Sequence, residues 1–253
     1  MRPGIIYFLK GGRFCCHTGT MSSEVPVMSP SLTIGFILIN YLFLVFSLCV
    51  HEAAHAAMAD RLGDPTARLM GRLTLNPVAH ADLLGTVILP LFAMFSGISI
   101  LFGWAKPVPV NLSNLRDRRK GPMVVAVAGP LSNLFIALCV ALLLRGLAMV
   151  FSVVDGDIRL LLAIQIIEAL MFINLVLMIF NMIPLPPLDG YSVLEYFLPY
   201  EWARKFQQIG PYSTLILLVL VFYFRILTVP MTLAVTGMRF LAYYGTPLWH
   251  LPN

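Results

Sequence analysis

The chain has 253 residues, of which 59% are hydrophobic and only 11% charged, with a net charge of +5 and a mean hydropathy of +0.86. A soluble domain carries about a quarter charged residues, so this composition excludes a water-soluble enzyme and indicates a polytopic membrane protein. The positive charge lies in short segments between apolar runs, as in cytoplasmic loops beside anionic lipid, and it forms no nucleic-acid-binding module.

Residues 1–30 are mixed, with Arg2, Lys10 and Arg13 around a short apolar patch, and read as a peripheral segment in which Met21 is a second candidate start. Residues 31–59 form the first membrane span, apolar up to Val50 and then carrying His51-Glu52-Ala53-Ala54-His55; Gly63 and Pro65 stop it. Residues 67–77 alternate apolar and polar and predict a short strand. Residues 83–103 are apolar but interrupted by Pro90, Gly97 and Gly103. Pro107 and Pro109 then force residues 103–111 to be extended. Three further apolar runs, 122–145, 159–183 and 211–235, are long enough to span, and 236–253 is a C-terminal tail. The expected fold is an all-α polytopic membrane protein with about five membrane segments and short extended β segments near the active site. Its functional domain is residues 31–235. The cysteines Cys15, Cys16, Cys49 and Cys139 form no C-x-x-C pair, which argues against a disulfide framework or a cysteine zinc site.

Histidines at i and i+4 share one helix face, so His51 and His55 can reach one metal ion, and Glu52 beside them is placed to deprotonate a water. This is the H-E-x-x-H spacing of zinc hydrolases, whose catalytic sites take three protein ligands and leave a position open. Asp189, in a proline-broken segment at the end of a span, is the best third ligand; an Asp-Gly pair there also fits a simple turn or N-cap. His80 is either a partner of the site or a local hydrogen-bonder in its turn. Asn133 reads as a bond across helices, and Glu168 and Arg225 as a buried ion pair or as functional charges.

The H-E-x-x-H span, Gly71–Pro77 (G-R-L-T-L-N-P), Gly103–Asn111 (G-W-A-K-P-V-P-V-N), Ala128–Asn133 (A-G-P-L-S-N) and Asn181–Gly190 (N-x-x-P-x-P-P-L-D-G) together resemble the site-2 protease type of intramembrane zinc metalloprotease. The resemblance covers most of residues 32–200. It implies one zinc per chain on His51, His55 and Asp189, Glu52 as general base, and Asn181 in contact with substrate or oxyanion. It also implies cleavage in or near the transmembrane segment of a membrane-protein substrate. The alternative is a zinc-binding membrane transporter or channel. The sequence names neither the substrate nor the oligomeric state.

Ligands must meet at one depth, so an even number of crossings separates His55 from Asp189. The spans 122–145 and 159–183 supply two. Basic residues flank 83–103 on both sides, at Arg61, Arg68 and Arg72 and at Lys106 and Arg116–Lys120, which predicts a re-entrant hairpin bending near Ser96-Gly97. The active site then faces the cytoplasmic side of the cell membrane. The extended stretches 67–77 and 103–111 serve either as an edge for unwound substrate or as a structural lid.

Overall fold

The computed structural model describes residues 30–95, 103–151 and 158–250. Their regular structure is helical, and three helices are long and apolar enough to cross a membrane: Ile34–Arg61, Lys120–Val150 and Arg159–Asn181. The first lies in α1 (Pro30–Arg61). Its residues Ile34, Leu38, Leu42 and Phe46 are exposed at a spacing of four, while Leu44, Leu48, His51, His55, Ala56 and Ala59 are buried. A continuous stripe of large exposed apolar side chains suits a lipid-facing surface, and the opposite face packs into the bundle.

After α1 come two single-turn helices, α2 (Thr66–Leu69) and α3 (Pro77–His80), then a π-helical stretch, Leu83–Ile88, that runs into α4 (Leu89–Phe95). Residues 67–77 are therefore not the predicted strand, and no strand occurs among the described residues. Alternation fixes a strand only when one face is buried and a neighbour offers a ladder. Here Leu69, Met70, Leu73 and Leu75 are all exposed. Asn76 instead caps α3 by accepting from the Val78 N–H at 3.1 Å.

Residues 103–111 are extended, as expected, but without a strand partner. The N–H groups of Trp104, Lys106 and Val108 are directed inward at alternate positions: to Gly85 O (3.2 Å), His80 O (2.8 Å) and Glu52 Oε2 (3.0 Å). These acceptors are helix ends and a side chain, so no β-ladder forms. The same bonds bring both ends of the 83–103 segment together, because Thr86 Oγ1 also donates to Trp104 O at 2.8 Å. The segment ends where it began; its expected bend near Ser96-Gly97 lies outside the described residues.

The centre of the bundle is α5 (Lys120–Phe151), which contacts α1, α6 (Ile158–Asn181), α7 (Asp189–Phe197) and α10 (Thr228–Tyr243). Buried Ala137, Ala141 and Ala148 let its neighbours approach, and Leu144, Met171, Leu175 and Met238 fill the space between α5, α6 and α10. Between α7 and α10 lie α8 (Tyr200–Gln207) and α9 (Ser213–Leu218). The single span expected over 211–235 is broken: α9 continues as a π-helical stretch to Tyr223, the chain turns at residues 224–227, and α10 begins at Thr228. Pro230 lacks the N–H that a continuous helix would bond to Ile226, but it fits the first turn of a new helix. Arg225, with φ 51°, sits exposed at the break. Glu168 accepts instead from the Tyr243 hydroxyl at 2.8 Å, so the expected pair with Arg225 does not form.

Candidate metal centre

The helical repeat of α1 sets His51 and His55 edge-to-face, with ring centroids 4.6 Å apart, and both are buried. His51 Nδ1 lies 2.6 Å from Asn133 Oδ1 on α5, and His55 Nδ1 lies 2.8 Å from the carbonyl of Val125. A carbonyl oxygen only accepts, so each ring carries a proton on Nδ1 and, in its neutral form, turns a bare Nε2 inward. The two Nε2 atoms are 3.0 Å apart. Asp189 Oδ2, otherwise without a partner, lies 3.2 Å from the first and 3.4 Å from the second.

Three buried acceptors with no hydrogen between them repel one another unless a positive charge sits in their midst. A metal ion supplies that charge, and a proton competes for the same place. The observed separations match the roughly 3.3 Å between ligands of a tetrahedral ion with bonds of about 2.0–2.1 Å. The donor set, two imidazoles and one carboxylate, is one that zinc takes in hydrolases. Among the described residues this is the group of His, Cys, Asp and Glu side chains that could hold a metal.

Two glycines make the convergence possible. A Cβ on Gly129 of α5 would lie 2.4 Å from His55 Nε2 and 2.6 Å from His51 Nε2, so only glycine lets this backbone face the two rings so closely. A Cβ on Gly190 would lie 2.3 Å from Met182 O; its absence lets the 182–188 loop fold tightly and begin α7 with Asp189. The helix dipole at that first turn favours a carboxylate.

Glu52 lies beside His51, and its Oε2 accepts from the Val108 N–H at 3.0 Å. Pro107 and Pro109 have no N–H, so Val108 provides the one amide donor of that tripeptide. Asp64 ties the same extended segment to the end of α1, accepting from Asn111 N (2.6 Å), Asn114 Nδ2 (3.0 Å), Thr66 N (3.1 Å) and Thr66 Oγ1 (2.5 Å). Asn181 donates back along its own helix to Leu177 O at 2.9 Å and is not among the converging ligands. His80 is also apart from them: it is buried, and its Nε2 is 2.8 Å from Thr74 O, the local turn role.

Sequence reasoning missed Asn174 of α6. It is fully buried and bonded to Asn133, which in turn holds His51. An amide deep in the apolar run of α6 was the available signal, one that Gln165 shares, since polar groups inside a membrane are seldom idle.

The family model described as Peptidase family M50 matches residues 39–223. The candidate zinc metalloprotease YwhC of Bacillus subtilis is 38% identical over 182 residues, covering 70% of this chain and 77% of that protein. The candidate zinc metalloprotease Rip2 of Mycolicibacterium smegmatis is 30% identical over 87% of this chain and 80% of its own length. Rip2 of Mycobacterium tuberculosis strain H37Rv is 32% identical over 69% of this chain and 62% of its own. No solved structure matches the chain. With a family model covering most of the sequence and a His-His-Asp cluster joining a helix long and apolar enough to cross a membrane to the start of α7, the chain belongs to peptidase family M50, the family of the site-2 proteases.

Proposed function

We propose that the chain is a zinc metalloprotease that hydrolyses a peptide bond in or near the transmembrane segment of a membrane-protein substrate. One observation carries this: two bare imidazole nitrogens and a carboxylate oxygen meet within 3.4 Å of one another on membrane-associated helices. His51, His55 and Asp189 would hold one zinc ion per chain, which supplies a Lewis acid for the scissile carbonyl and an acidified water. Glu52, next to the ligands on α1, takes a proton from the attacking water and returns it to the leaving amine. Its Oε2 is held by the Val108 N–H, which leaves Oε1 for the proton. Asn181 commits one amide hydrogen to Leu177 O; the other serves the oxyanion.

A helical substrate buries its own carbonyls and must unwind before attack. An apolar groove of about 330 Å³, lined by Val50, Ala53, Ala54 and Ala57 of α1 and by Leu73–Leu75, runs beside the motif and suits such a segment. Arg61 at the end of α1, Arg68 in α2 and Arg116–Lys120 leading into α5 supply the positive charge that supports a site facing the cytoplasmic side of the cell membrane.

The test is zinc content together with cleavage of a transmembrane reporter by detergent-purified protein. The parent chain should hold one zinc, His55→Ala and Asp189→Ala should lose it, and Glu52→Gln should keep it while cleavage falls by about 10²–10⁴-fold. Zinc retained by Asp189→Ala, or zinc movement across vesicles by a parent chain that cleaves nothing, would overturn the proposal.

A further inference from the structure

Behind His51 lies a chain of buried polar groups that crosses three helices. Ser47 on α1, Asn133 on α5 and Asn174 on α6 are each fully buried. Asn174 Nδ2 donates to Leu170 O at 2.9 Å and to Ser47 Oγ at 2.9 Å. Asn133 Nδ2 donates to Asn174 Oδ1 at 2.9 Å and is 3.5 Å from Ser47 O. Asn133 Oδ1 meets His51 Nδ1 at 2.6 Å.

The donor and acceptor role of every atom in this chain follows from its far end. Leu170 O is a backbone carbonyl and can only accept, so the Asn174 group facing it must be the NH₂. That turns Asn174 Oδ1 towards Asn133, whose facing group must then be NH₂ as well. Asn133 Oδ1 is left pointing at His51, so His51 must carry its proton on Nδ1. Flipping either amide sets two acceptors against each other in a buried, low-dielectric site.

We propose that Asn174 and Asn133 form a one-way hydrogen-bond relay, anchored on the Leu170 carbonyl, that fixes the His51 tautomer and presents Nε2 as a metal ligand. Both are positioning residues, and Asn174 acts only through Asn133. The relay explains why an amide sits in the middle of the most apolar helix of the bundle: a bare hydroxyl can rotate to donate or accept, whereas two amides in series transmit a fixed polarity. The inference rests on the metal-site reading proposed above.

The test is the zinc dissociation constant of the full chain in detergent, measured by chelator competition, with thermal unfolding of the metal-free protein as the control for folding. Asn133→Leu should weaken zinc about 10–100-fold, the range for losing an imidazole's outer partner. Asn174→Leu should weaken it less, by about 3–10-fold, and should have no further effect when added to Asn133→Leu. Asn133→Asp should restore binding to within about threefold at a pH where the buried acid is protonated, since its O–H then donates to Asn174 Oδ1 and its other oxygen accepts from His51 Nδ1–H. Ser47→Ala should be nearly silent, because Leu170 O alone fixes Asn174.

If the parent chain binds no zinc, the metal-site reading fails first. If it binds zinc but Asn174→Leu binds as the parent does, the relay is wrong. An equal loss in Ser47→Ala, or additive losses in the double variant, also overturns it, since either is the mark of general packing damage. Should Asn174→Leu fail to fold, Asn174→Ala takes its place in the same comparison, alone and combined with Asn133→Leu.

Discussion

Replacing Gly129 with alanine tests the packing at the candidate site most directly. The added Cβ would lie 2.4 Å from His55 Nε2 and 2.6 Å from both Cε1 and Nε2 of His51, whereas ordinary contact begins at 3.4 Å. Both rings, or the α5 backbone, must move by about 1 Å, and metal–ligand distances tolerate only about 0.2 Å. Zinc binding of roughly 10–16 kcal/mol spread over four ligands gives about 2.5–4 kcal/mol for each, so displacing even one costs about 10²–10³-fold in affinity. The fold should respond differently. Glycine to alanine within a helix gains about 1 kcal/mol, against an overpacking cost of about 1–3 kcal/mol, so the metal-free protein should unfold within a few degrees of the parent. Zinc titration and thermal unfolding with and without zinc read both quantities. A Gly129→Ala protein that binds zinc within threefold of the parent would refute the close approach of α5 to the histidines.

Further expectations concern the supports of the site. Asp64→Ala takes the buried acceptor away from donors of Thr66, Asn111 and Asn114, which water can reach in part, and should cost roughly 1–3 kcal/mol in denaturant unfolding. Burial alone would raise the Asp64 pKa, but the Thr66 hydroxyl, the Asn114 amide and the backbone N–H groups of Asn111 and Thr66 outweigh it and hold the carboxyl below its usual range. A depressed folded pKa gives stability that is complete above the unfolded value near 4 and is lost as pH falls through the folded one. Acid unfolding should therefore lose a component below about pH 4 in Asp64→Asn. Gly190→Ala should displace the 182–188 loop and Asp189 with it, weakening zinc while leaving the helix content by circular dichroism unchanged. Removing zinc with a chelator should lower the unfolding temperature of the parent and leave that of Asp189→Ala where it was.

The sequence alone carried those features that depend on a residue's near neighbours in the chain. Two histidines four apart share a helix face in any helix, so the metal-binding capacity of His51 and His55 was readable at once. The apolar runs at 122–145 and 159–183 lie within α5 and closely match α6, because a run that long in a membrane protein has no alternative to a helix. Proline likewise dictated the extended path of residues 103–111. Asp189 emerged from the ligand count and its place in a proline-broken segment at the end of a span, and the family resemblance implied the same residue. Tertiary structure decided what depends on who lies opposite. Residues 67–77 alternate as a strand would, but no neighbour offers them a ladder, and Asn76 caps a helix instead. The run at 211–235 is apolar enough to span, yet it breaks at Arg225 and restarts as α10. Glu168 found Tyr243 rather than Arg225. Asn174 stood out as an amide in an apolar run but its partner did not, since that partner is an amide on another helix, and Gly129 carries no local sign at all, since it matters by having no side chain beside two imidazoles. Periodicity and composition describe one segment at a time; a metal site is a meeting of segments, and only the packing of α1, α5, α6 and α7 brings its parts together.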